Sequence, residues 1–545
     1  MSAVNGSGLA RAGAGTGTSA PPPDARAGAR PGRTRPARWA WPAGYALAAI
    51  VLFLCYLRVS GTQAVTSDGA SQALQAWDML HGNWLLKGWT LTDVSFYTTE
   101  LPEYALVEVF RGLGPQDVHT AAAITYTLLV ILAGLLAKGS KTGREGLVRV
   151  LIASGIMIAP QVGPGALLLL LSPDHTGTGV PLLLTFLLLD RAPRRPWVPA
   201  AAGLMLAWAQ TGDRLVVTIG VAPVVTVCAV RAYRDLVQRR GPLREHWFDL
   251  ALAAAAIASV GVSDAVVKLI RHLGGYVTAP LDTTFAPSAS WPAHVALAAE
   301  GLLGLYGADI SGRPLGAAAA IALVHLAGLA LAAWALGRAI RRFFAQDMIT
   351  QVLAVAIVVN IAAYVFSLLP NTNWDNREIA GVLPFGAVLA GRLLADRLIQ
   401  ARLLPALAAV AGCYLIALGY GVTRTQAPAH DQALAGWLGA HHLTAGLGSY
   451  AEGNSVRLDS RNAIALLAPA WSPGAVRPGK HEAKASDFDP GRHYADFVVT
   501  TKQDGPAFYI PPAWITRAFG PPAHTYHYRA WTIMTYDKNL LTEVS

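Results

Sequence analysis

Residues 118–137 read VHTAAAITYTLLVILAGLLA, a run of 20 residues without Asp, Glu, Lys or Arg. An α-helix of that length rises about 30 Å, the thickness of the hydrocarbon core of a bilayer. Four basic residues follow the run: Lys138, Lys141, Arg144 and Arg149. We interpret residues 118–137 as a transmembrane helix whose basic end faces the cytoplasm.

The rest of the chain repeats this pattern. Further apolar stretches lie at about 42–60, 148–171, 178–190, 197–210, 214–231, 247–270, 315–337, 348–369, 378–396 and 403–423. Every second gap between them is rich in Lys and Arg, as cytoplasmic loops are. We therefore predict an all-α polytopic bundle of about 11 transmembrane helices in the plasma membrane, with the N-terminus in the cytoplasm and the C-terminus outside.

The composition agrees with a membrane protein. Of the 545 residues, 53% are hydrophobic and 14% are charged, whereas soluble domains carry about 25% charged residues. The net charge of +10 is dispersed in short clusters between apolar stretches, which argues against a nucleic-acid partner. Cys55, Cys228 and Cys413 all lie in apolar stretches, so no disulfide framework is expected.

Changes of composition predict the domain boundaries. The α+β assignment depends on two β-like runs, 497–500 and 531–534, which lie between Gly- and Pro-rich turns. The expected parts are a disordered basic cytoplasmic tail at 1–40, a transmembrane module at 41–427 with a first outside loop at 61–117, and an extracytoplasmic α+β domain at 428–545.

The first outside loop is acidic and carries two amphipathic stretches, 69–81 and 101–113. Their apolar residues recur at helical spacing, so each stretch predicts a helix with one apolar face. We expect both helices to lie on the outer membrane surface, with Trp77 and Tyr104 at the interface.

Three motifs in this loop resemble a known family. They are Ser67-Asp68-Gly69-Ala70, then Ala76 to Leu85 with its Gly82-Asn83-Trp84-Leu85 ending, and then Thr99-Glu100-Leu101-Pro102-Glu103-Tyr104. Their order resembles the GT-C glycosyltransferases, in the branch of the protein O-mannosyltransferases and the aminoarabinose transferase of lipid A. Gly69 stands where that branch has a second acid, and Leu101 and Glu103 replace the Lys and one Pro of its Glu-Lys-Pro-Pro motif.

The resemblance implies a transfer from a polyprenyl-phosphate sugar to an extracytoplasmic acceptor, with Asp68 as general base and Glu100 as a supporting acid. A second acid implied by the family, which would bind the donor phosphate or a metal, falls on Asp174. The alternatives are an N-cap role for Asp68 and a first-turn role for Glu100.

Several residues outside the first loop are candidates for binding the donor. Asp174 and His175 form an acid–imidazole pair in the loop 172–177, where the alternative is a simple turn. Arg377 could hold the lipid phosphate, or pair with Asp375 or Glu378 instead. Arg214 could also bind phosphate, or pair with Asp213. If the enzyme uses a divalent metal ion, Asp174, His175 and Glu100 are the expected ligands.

One long loop remains. Residues 271–314 include Asp282 and are long enough to cover the outside cavity as a gate.

The sequence therefore predicts a membrane hexosyl- or pentosyltransferase. Its partners would be a polyprenyl-phosphate-linked sugar, the lipid bilayer and a protein, glycan or lipid acceptor. Two other functions remain open. A transporter or flippase also carries membrane acids, although we see no inverted repeat. A non-catalytic scaffold of the same fold is favoured by Gly69 and Leu101.

Overall fold

The computed structural model describes residues 40–192, 194–238, 243–280, 284–428, 431–503 and 505–544. Nearly all of the predicted basic tail, 1–40, lies outside these residues, as does Asp282. The α-helices are α1 (Ala40–Ser60), α2 (Ser67–Leu80), α3 (Leu101–Arg111), α4 (Pro115–Lys138), α5 (Gly143–Met157), α6 (Pro164–Leu169), α7 (Gly179–Arg191), α8 (Val198–Gly212), α9 (Ala222–Tyr233), α10 (Trp247–His272), α11 (Trp291–Leu305), α12 (Ala317–Arg341), α13 (Met348–Phe366), α14 (Val382–Gln400), α15 (Leu404–Val422), α16 (Gln432–Ala440), α17 (Tyr450–Asp459) and α18 (Pro512–Phe519).

Short strands and helical turns complete the described fold. The strands are β1 (Trp89–Leu91), β2 (Val277–Thr278), β3 (Ala445–Leu447), β4 (Ala465–Leu467), β5 (Ala470–Ser472), β6 (Ala475–Arg477), β7 (Ala483–Lys484), β8 (Phe497–Thr501), β9 (His524–Tyr528) and β10 (Trp531–Thr535). The 3₁₀ turns are Leu243–His246, Phe343–Ala345, Asn373–Ile379, Ala485–Phe488 and Leu540–Glu543, and π turns occur at Val217–Val221 and Arg234–Gln238.

Each predicted apolar stretch contains a helix. Within the described residues, seven helices are long and apolar enough to span a membrane, or eight if the bent pair Asn373–Ile379 and α14 forms one span. The other predicted spans contain α5, α7 and α8, which have only 15, 13 and 15 residues. The protein is thus a polytopic membrane bundle, but the expected number of spans is not confirmed.

Proline explains one difference from the predicted boundaries. The third apolar stretch, 148–171, is not one helix, because α5 ends at Met157 and α6 begins only at Pro164. Pro160 and Pro164 lack the N–H that a continuous helix needs and disfavour helical geometry in the residues before them. The run of apolar residues alone does not reveal this break.

The loop 271–314 contains a helix that was not predicted. Its residues 291–305 form α11, which packs against α6, α13 and the turn Asn373–Ile379. Pro292 occupies its first turn, where a missing N–H costs little. Much of the expected gate is therefore an element of the bundle.

The two amphipathic stretches form helices at the predicted positions, but protein covers part of their polar faces. α2 packs against α3, α4 and α17, so its polar residues Ser71, Gln72 and Gln75 are buried, and Tyr104 of α3 is buried as well. That both helices lie on the outer membrane surface stays a prediction, and α3 has the exposed apolar residues Leu106, Val109 and Phe110 available for it.

The C-terminal region has the predicted α+β character. Its five-stranded sheet has the order β4-β3-β8-β10-β9, with β3 parallel to its neighbours and β10 antiparallel to both of its own. A second sheet, β2-β1-β7, joins the C-terminal region to the first loop through the antiparallel pairs Trp89–Lys484 and Thr90–Ala483. This sheet brings the residues before β7 next to the first turn of α2.

Candidate active site

A polar cavity of about 250 Å³ lies where the first loop, the ends of the bundle helices and the C-terminal region meet. Six carboxylates and one guanidinium line it, together with two histidines and a tryptophan. The lining residues are Asp68, Gln72, Thr92, Asp93, Val94, Phe96, Asp174, His175, Trp374, Asp375, Arg377, Glu378, His481 and Glu482.

Asp68 lies in the first turn of α2, and Thr66 occupies the N-cap position. The N-cap interpretation of Asp68 is therefore wrong, although the helix dipole still favours a negative charge in the first turn. Asp68 Oδ1 accepts a hydrogen bond of 2.6 Å from the Tyr450 hydroxyl, while 44% of its side chain remains exposed. The side chain of Asp68 is thus far more exposed than that of Asp174, which is 6% exposed.

Tyr450 connects Asp68 to a second carboxyl group. Its hydroxyl also contacts Glu482 Oε2. Burial, reinforced by the charge of Asp68, raises the pKa of Glu482 well above its usual range. A protonated Glu482 donates to Tyr450, and the Tyr450 hydroxyl then donates to Asp68. This chain of hydrogen bonds ends on Asp68 Oδ1 as the acceptor.

Arg377 lies across the cavity from this chain, in the turn Asn373–Ile379. Its Nη1 is 2.8 Å from Asp174 Oδ2 and 4.0 Å from Asp68 Oδ2, and its guanidinium stacks over Trp374 at 5.1 Å. Its Nη2 is buried without a hydrogen-bond partner among the described residues. Arg377 is thus held in place by Nη1, and its Nη2 is a buried donor without a partner among the described residues.

Asp174 is fully engaged by its neighbours. Besides Arg377, it accepts hydrogen bonds from the Ser172 hydroxyl at 2.7 Å and from the Gln72 amide.

The alternative partners considered for Arg377 have other roles. Asp375 accepts from backbone N–H groups in its own turn, and Glu378 contacts His175.

His175 is held between two carboxylates. Its Nδ1 is 2.9 Å from Asp213 Oδ2, and its Nε2 is 3.1 Å from Glu378 Oε1. Burial favours the neutral ring, but the charges of Glu378 and Asp213 raise the pKa of His175 well above its ordinary value. As an imidazolium with both nitrogens engaged, His175 has no lone pair for a metal ion.

Glu100 does not line the polar cavity and is fully buried behind it. Its Oε1 accepts from the Thr178 backbone N–H at 3.1 Å, and the Thr178 hydroxyl is 2.8 Å from Asp213 Oδ2. Burial raises the pKa of Glu100 well above its usual range. Its contact with the site therefore runs through Thr178 and Asp213.

Arg214 also lies outside the polar cavity. Its Nη2 forms an exposed 2.6 Å ion pair with Asp264 Oδ1, not with Asp213. Arg214 lines two neighbouring cavities instead, of about 240 and 170 Å³.

The smaller of these neighbouring cavities has a mainly apolar surface, although the charged residues Asp93, Asp213, Arg214 and Glu378 also line it. It extends between Leu215 and the α13 residues Ala363 and Tyr364. It shares Asp93, Val94 and Glu378 with the polar cavity, so the two spaces adjoin at these residues. A polar chamber that adjoins an apolar one suits an amphiphilic ligand.

The structure brings together a different set of potential metal ligands from the expected one. One donor atom each of Asp68, His481 and Glu482 lies within 4.8 Å of the other two. Imidazole and carboxylate ligands of this kind suit a divalent cation, provided that Glu482 releases its proton. Asp174 and His175 instead use their polar atoms on protein partners.

Gly69 explains the missing second acid beside Asp68. A Cβ at this position would lie 2.8 Å from Val118 Cγ1 of α4. α2 and α4 approach each other too closely at Gly69 for any larger side chain. The departure from the family motif is thus a packing requirement of this chain.

The sequence interpretation missed Tyr450, His481, Glu482 and Asp93. Tyr450 is 382 residues from Asp68 along the chain, and no local pattern connects positions so far apart. The cluster His481-Glu482 was the one signal available, because an acid beside an imidazole also drew attention to Asp174 and His175.

Comparison with known proteins identifies the fold. No family model and no curated protein matches the chain. Among solved structures, ArnT from Cupriavidus metallidurans bound to undecaprenyl phosphate matches with a TM-score of 0.55 and 13% identity, over 93% of this chain and 100% of that chain. The apo structure of the same ArnT gives a TM-score of 0.56 and 13% identity, over 93% and 99%. The chain therefore has the fold of ArnT over most of its length, the fold that the first-loop resemblance predicted.

Proposed function

We propose that this protein transfers a sugar from a polyprenyl-phosphate carrier to an acceptor outside the plasma membrane. One observation carries the proposal. The partly exposed side chain of Asp68 and the side chain of Arg377, whose Nη2 has no partner among the described residues, line the same polar cavity, and that cavity adjoins one with a mainly apolar surface. A polyprenyl-phosphate sugar has a matching order of parts: a sugar, a phosphate and a hydrocarbon chain.

Each part of the donor has a place in this arrangement. The phosphate would bind Arg377 Nη2 through a charge-assisted hydrogen bond. The first isoprenoid units would occupy the apolar cavity beside Leu215 and Tyr364. The sugar would then lie among the carboxylates, which accept hydrogen bonds from its hydroxyl groups. The undecaprenyl phosphate in the ArnT crystal structure supports a carrier of this class.

The reaction follows from these positions. The acceptor hydroxyl oxygen attacks the anomeric carbon while Asp68 takes its proton. The bond between the anomeric carbon and the phosphate oxygen breaks, and its electron pair leaves with the polyprenyl phosphate. Arg377 stabilises the negative charge that develops on the departing phosphate. Asp174 and Glu378 act as positioning residues, because they hold Arg377 and His175.

Turnover of polyprenyl-phosphate sugars by the purified protein in liposomes tests the proposal. Asp68→Asn removes the proton acceptor and should lower the release of polyprenyl phosphate by about 100-fold or more, the usual contribution of a general base. The matched control is Asp489→Asn, which alters an exposed ion pair with Arg492 in the C-terminal region. Its turnover should equal that of the unaltered protein.

Two results would contradict the proposal. Equal turnover by Asp68→Asn and the unaltered protein would remove Asp68 from the mechanism. If the unaltered protein turned over no donor but moved the lipid between leaflets, the protein would be a flippase.

A further inference from the structure

A separate cavity, called the second cavity below, has a volume of about 130 Å³ and lies at the ends of α5, α12 and α15, outside the candidate active site. Segment 159–162, which follows α5, forms one wall, and residues of α12 and α15 form the others. The lining residues are Ala159, Pro160, Gln161, Val162, Arg313, Ala318, Ile321, His325, Ala417, Tyr420 and Arg424.

The charge of this cavity is opposite to that of the active site. Two guanidinium groups, Arg313 and Arg424, line it, and no carboxylate of the described residues does. The active-site cavity has six carboxylates against one guanidinium. The second cavity is therefore electrostatically suited to an anion.

Gln161 shows that the cavity is built for a polar ligand. The residue is 5% exposed, and neither its amide oxygen nor its amide nitrogen has a partner among the described residues. Arg313 Nε is buried and unpartnered as well. A buried amide without hydrogen bonds is unfavourable, so native proteins satisfy such groups with a ligand or ordered water.

The second guanidinium, that of Arg424, contacts Tyr420. The Arg424 guanidinium lies 5.4 Å from the centre of the Tyr420 ring, and its Nη1 donates to the Tyr420 hydroxyl at 3.3 Å. His325 ties the walls together, because its ring nitrogens contact the carbonyl oxygens of Ile321 and Ala159, both at 2.8 Å. These contacts position Arg424 against Tyr420 and hold α12 against the segment at Ala159.

Exposed apolar residues flank Arg313 in sequence. They are Ile310 and Leu315, and Leu315 is fully exposed. The cavity also lies at the start of α12 and the end of α15, both of membrane-spanning length. Arginine side chains bind the phosphate of a lipid head group through charge-assisted hydrogen bonds.

We infer that this cavity binds the phosphate head group of an anionic membrane lipid. Arg313 and Arg424 would neutralise the phosphate, and the Gln161 amide would donate a hydrogen bond to one of its oxygens. The acyl chains would leave along the exposed apolar surface near Leu315. This site is separate from the donor site, so it does not depend on Arg377.

Lipid binding to the purified full chain in detergent tests the inference by native mass spectrometry. Phosphatidylglycerol should bind more tightly than phosphatidylcholine, whose head group has no net charge. The double variant Arg313→Gln/Arg424→Gln should weaken phosphatidylglycerol binding by about tenfold or more, because two charge-assisted hydrogen bonds are lost. The control Arg341→Gln/Arg342→Gln, at the other end of α12, should bind phosphatidylglycerol like the unaltered protein.

A second variant separates ligand binding from folding. Gln161→Leu removes an unpartnered amide, so it should raise the melting temperature of the lipid-free protein while weakening phosphatidylglycerol binding. A purely structural Gln161 would give a lower melting temperature and unchanged binding. Either unchanged phosphatidylglycerol binding in the double variant or displacement of the lipid by millimolar inorganic phosphate would overturn the inference, the latter in favour of a soluble anion.

Discussion

One terminal nitrogen of Arg377 forms an ion pair within the protein, and the other is a hydrogen-bond donor without a partner among the described residues. Its Nη1 pairs with buried Asp174, while Nη2 has no partner among the described residues. The planar guanidinium allows this division, because its two terminal nitrogens point in fixed directions. Lysine has a single ammonium group and cannot serve both partners from the same position.

We therefore expect Arg377→Lys to keep the fold and lose donor binding. The ammonium can pair with Asp174, so the melting temperature should change little. Without the second nitrogen, kcat/KM for the polyprenyl-phosphate sugar should fall by about tenfold or more, the usual worth of a hydrogen bond to a charged group. The matched control is Arg492→Lys, whose side chain is largely exposed. Retention of full kcat/KM in Arg377→Lys would show that Nη2 does not bind the phosphate.

At the residue scale, the sequence indicated residues that line the cavity but not the side chains that each of them contacts. Asp68, Asp174, His175 and Arg377 lie in one cavity, as their predicted common site requires. Their contacts were not predictable, because Asp174–Arg377 and His175–Glu378 each join loops about 200 residues apart. Adjacent residues such as Asp375 and Glu378 were the obvious partners for Arg377, and both are engaged elsewhere.

At the scale of a single element, α3 shows how burial changes the chemistry of a predicted surface helix. Its Glu103 and Glu108 are enclosed by the packing of α3 against α2 and α4. Burial raises the pKa of Glu103 to about 8, against hydrogen bonds from Thr125 that lower it. Burial and the charge of Asp117 raise the pKa of Glu108 to about 9. Both groups hold protons in the folded protein that the unfolded chain has lost at neutral pH.

This difference predicts how stability depends on pH. The pKa of Glu108 is 4.5 in the unfolded chain and about 9 in the folded protein. Its contribution to stability is therefore complete below pH 4.5 and is lost as the pH rises from 4.5 to about 9. The melting temperature should therefore fall between about pH 5 and pH 9. Glu108→Gln, which cannot ionise, should flatten that slope and raise the melting temperature at pH 8.

Melting curves of the two proteins across this pH range check the prediction. The matched control is Glu543→Gln, which alters an exposed pair with Lys538 and should leave the slope unchanged. A slope that is equally steep in Glu108→Gln would show that Glu108 is ionised in the folded protein.

The periodicity of α2 and α3 predicted their positions well but not the protein that covers part of their polar faces. An amphipathic pattern distinguishes the two faces of a helix but does not say what covers the polar face. In this protein α17 covers part of α2, more than 350 residues later in the chain. Polar residues buried against protein look the same in sequence as polar residues facing water.

For the whole molecule, charge patterning predicted an orientation in the membrane, which stays a prediction. The alternation of basic gaps suggested an N-terminus in the cytoplasm and a C-terminal domain outside. The structure agrees with one part of that arrangement, because the candidate site and the C-terminal region lie at the same end of the bundle. The number of spans was harder to predict, since bends and prolines break apolar stretches into short helices.

Cysteine labelling in intact cells tests the orientation that we propose. In a protein whose Cys55, Cys228 and Cys413 are replaced by Ser, Arg492→Cys should react with a membrane-impermeant maleimide. Lys141→Cys, in a predicted cytoplasmic gap, should react only after the cells are permeabilised. Both positions are exposed, so access depends on the membrane. The reverse pattern would place the candidate site in the cytoplasm and contradict an extracytoplasmic reaction.

The most direct test of the central claim is a structure of this protein in lipid nanodiscs with undecaprenyl phosphate, determined by electron cryomicroscopy. We expect the lipid phosphate within hydrogen-bonding distance of Arg377 Nη2 and the first isoprenoid units beside Leu215 and Tyr364. Density for the lipid phosphate at another place, with Arg377 Nη2 still without a partner, would contradict the account.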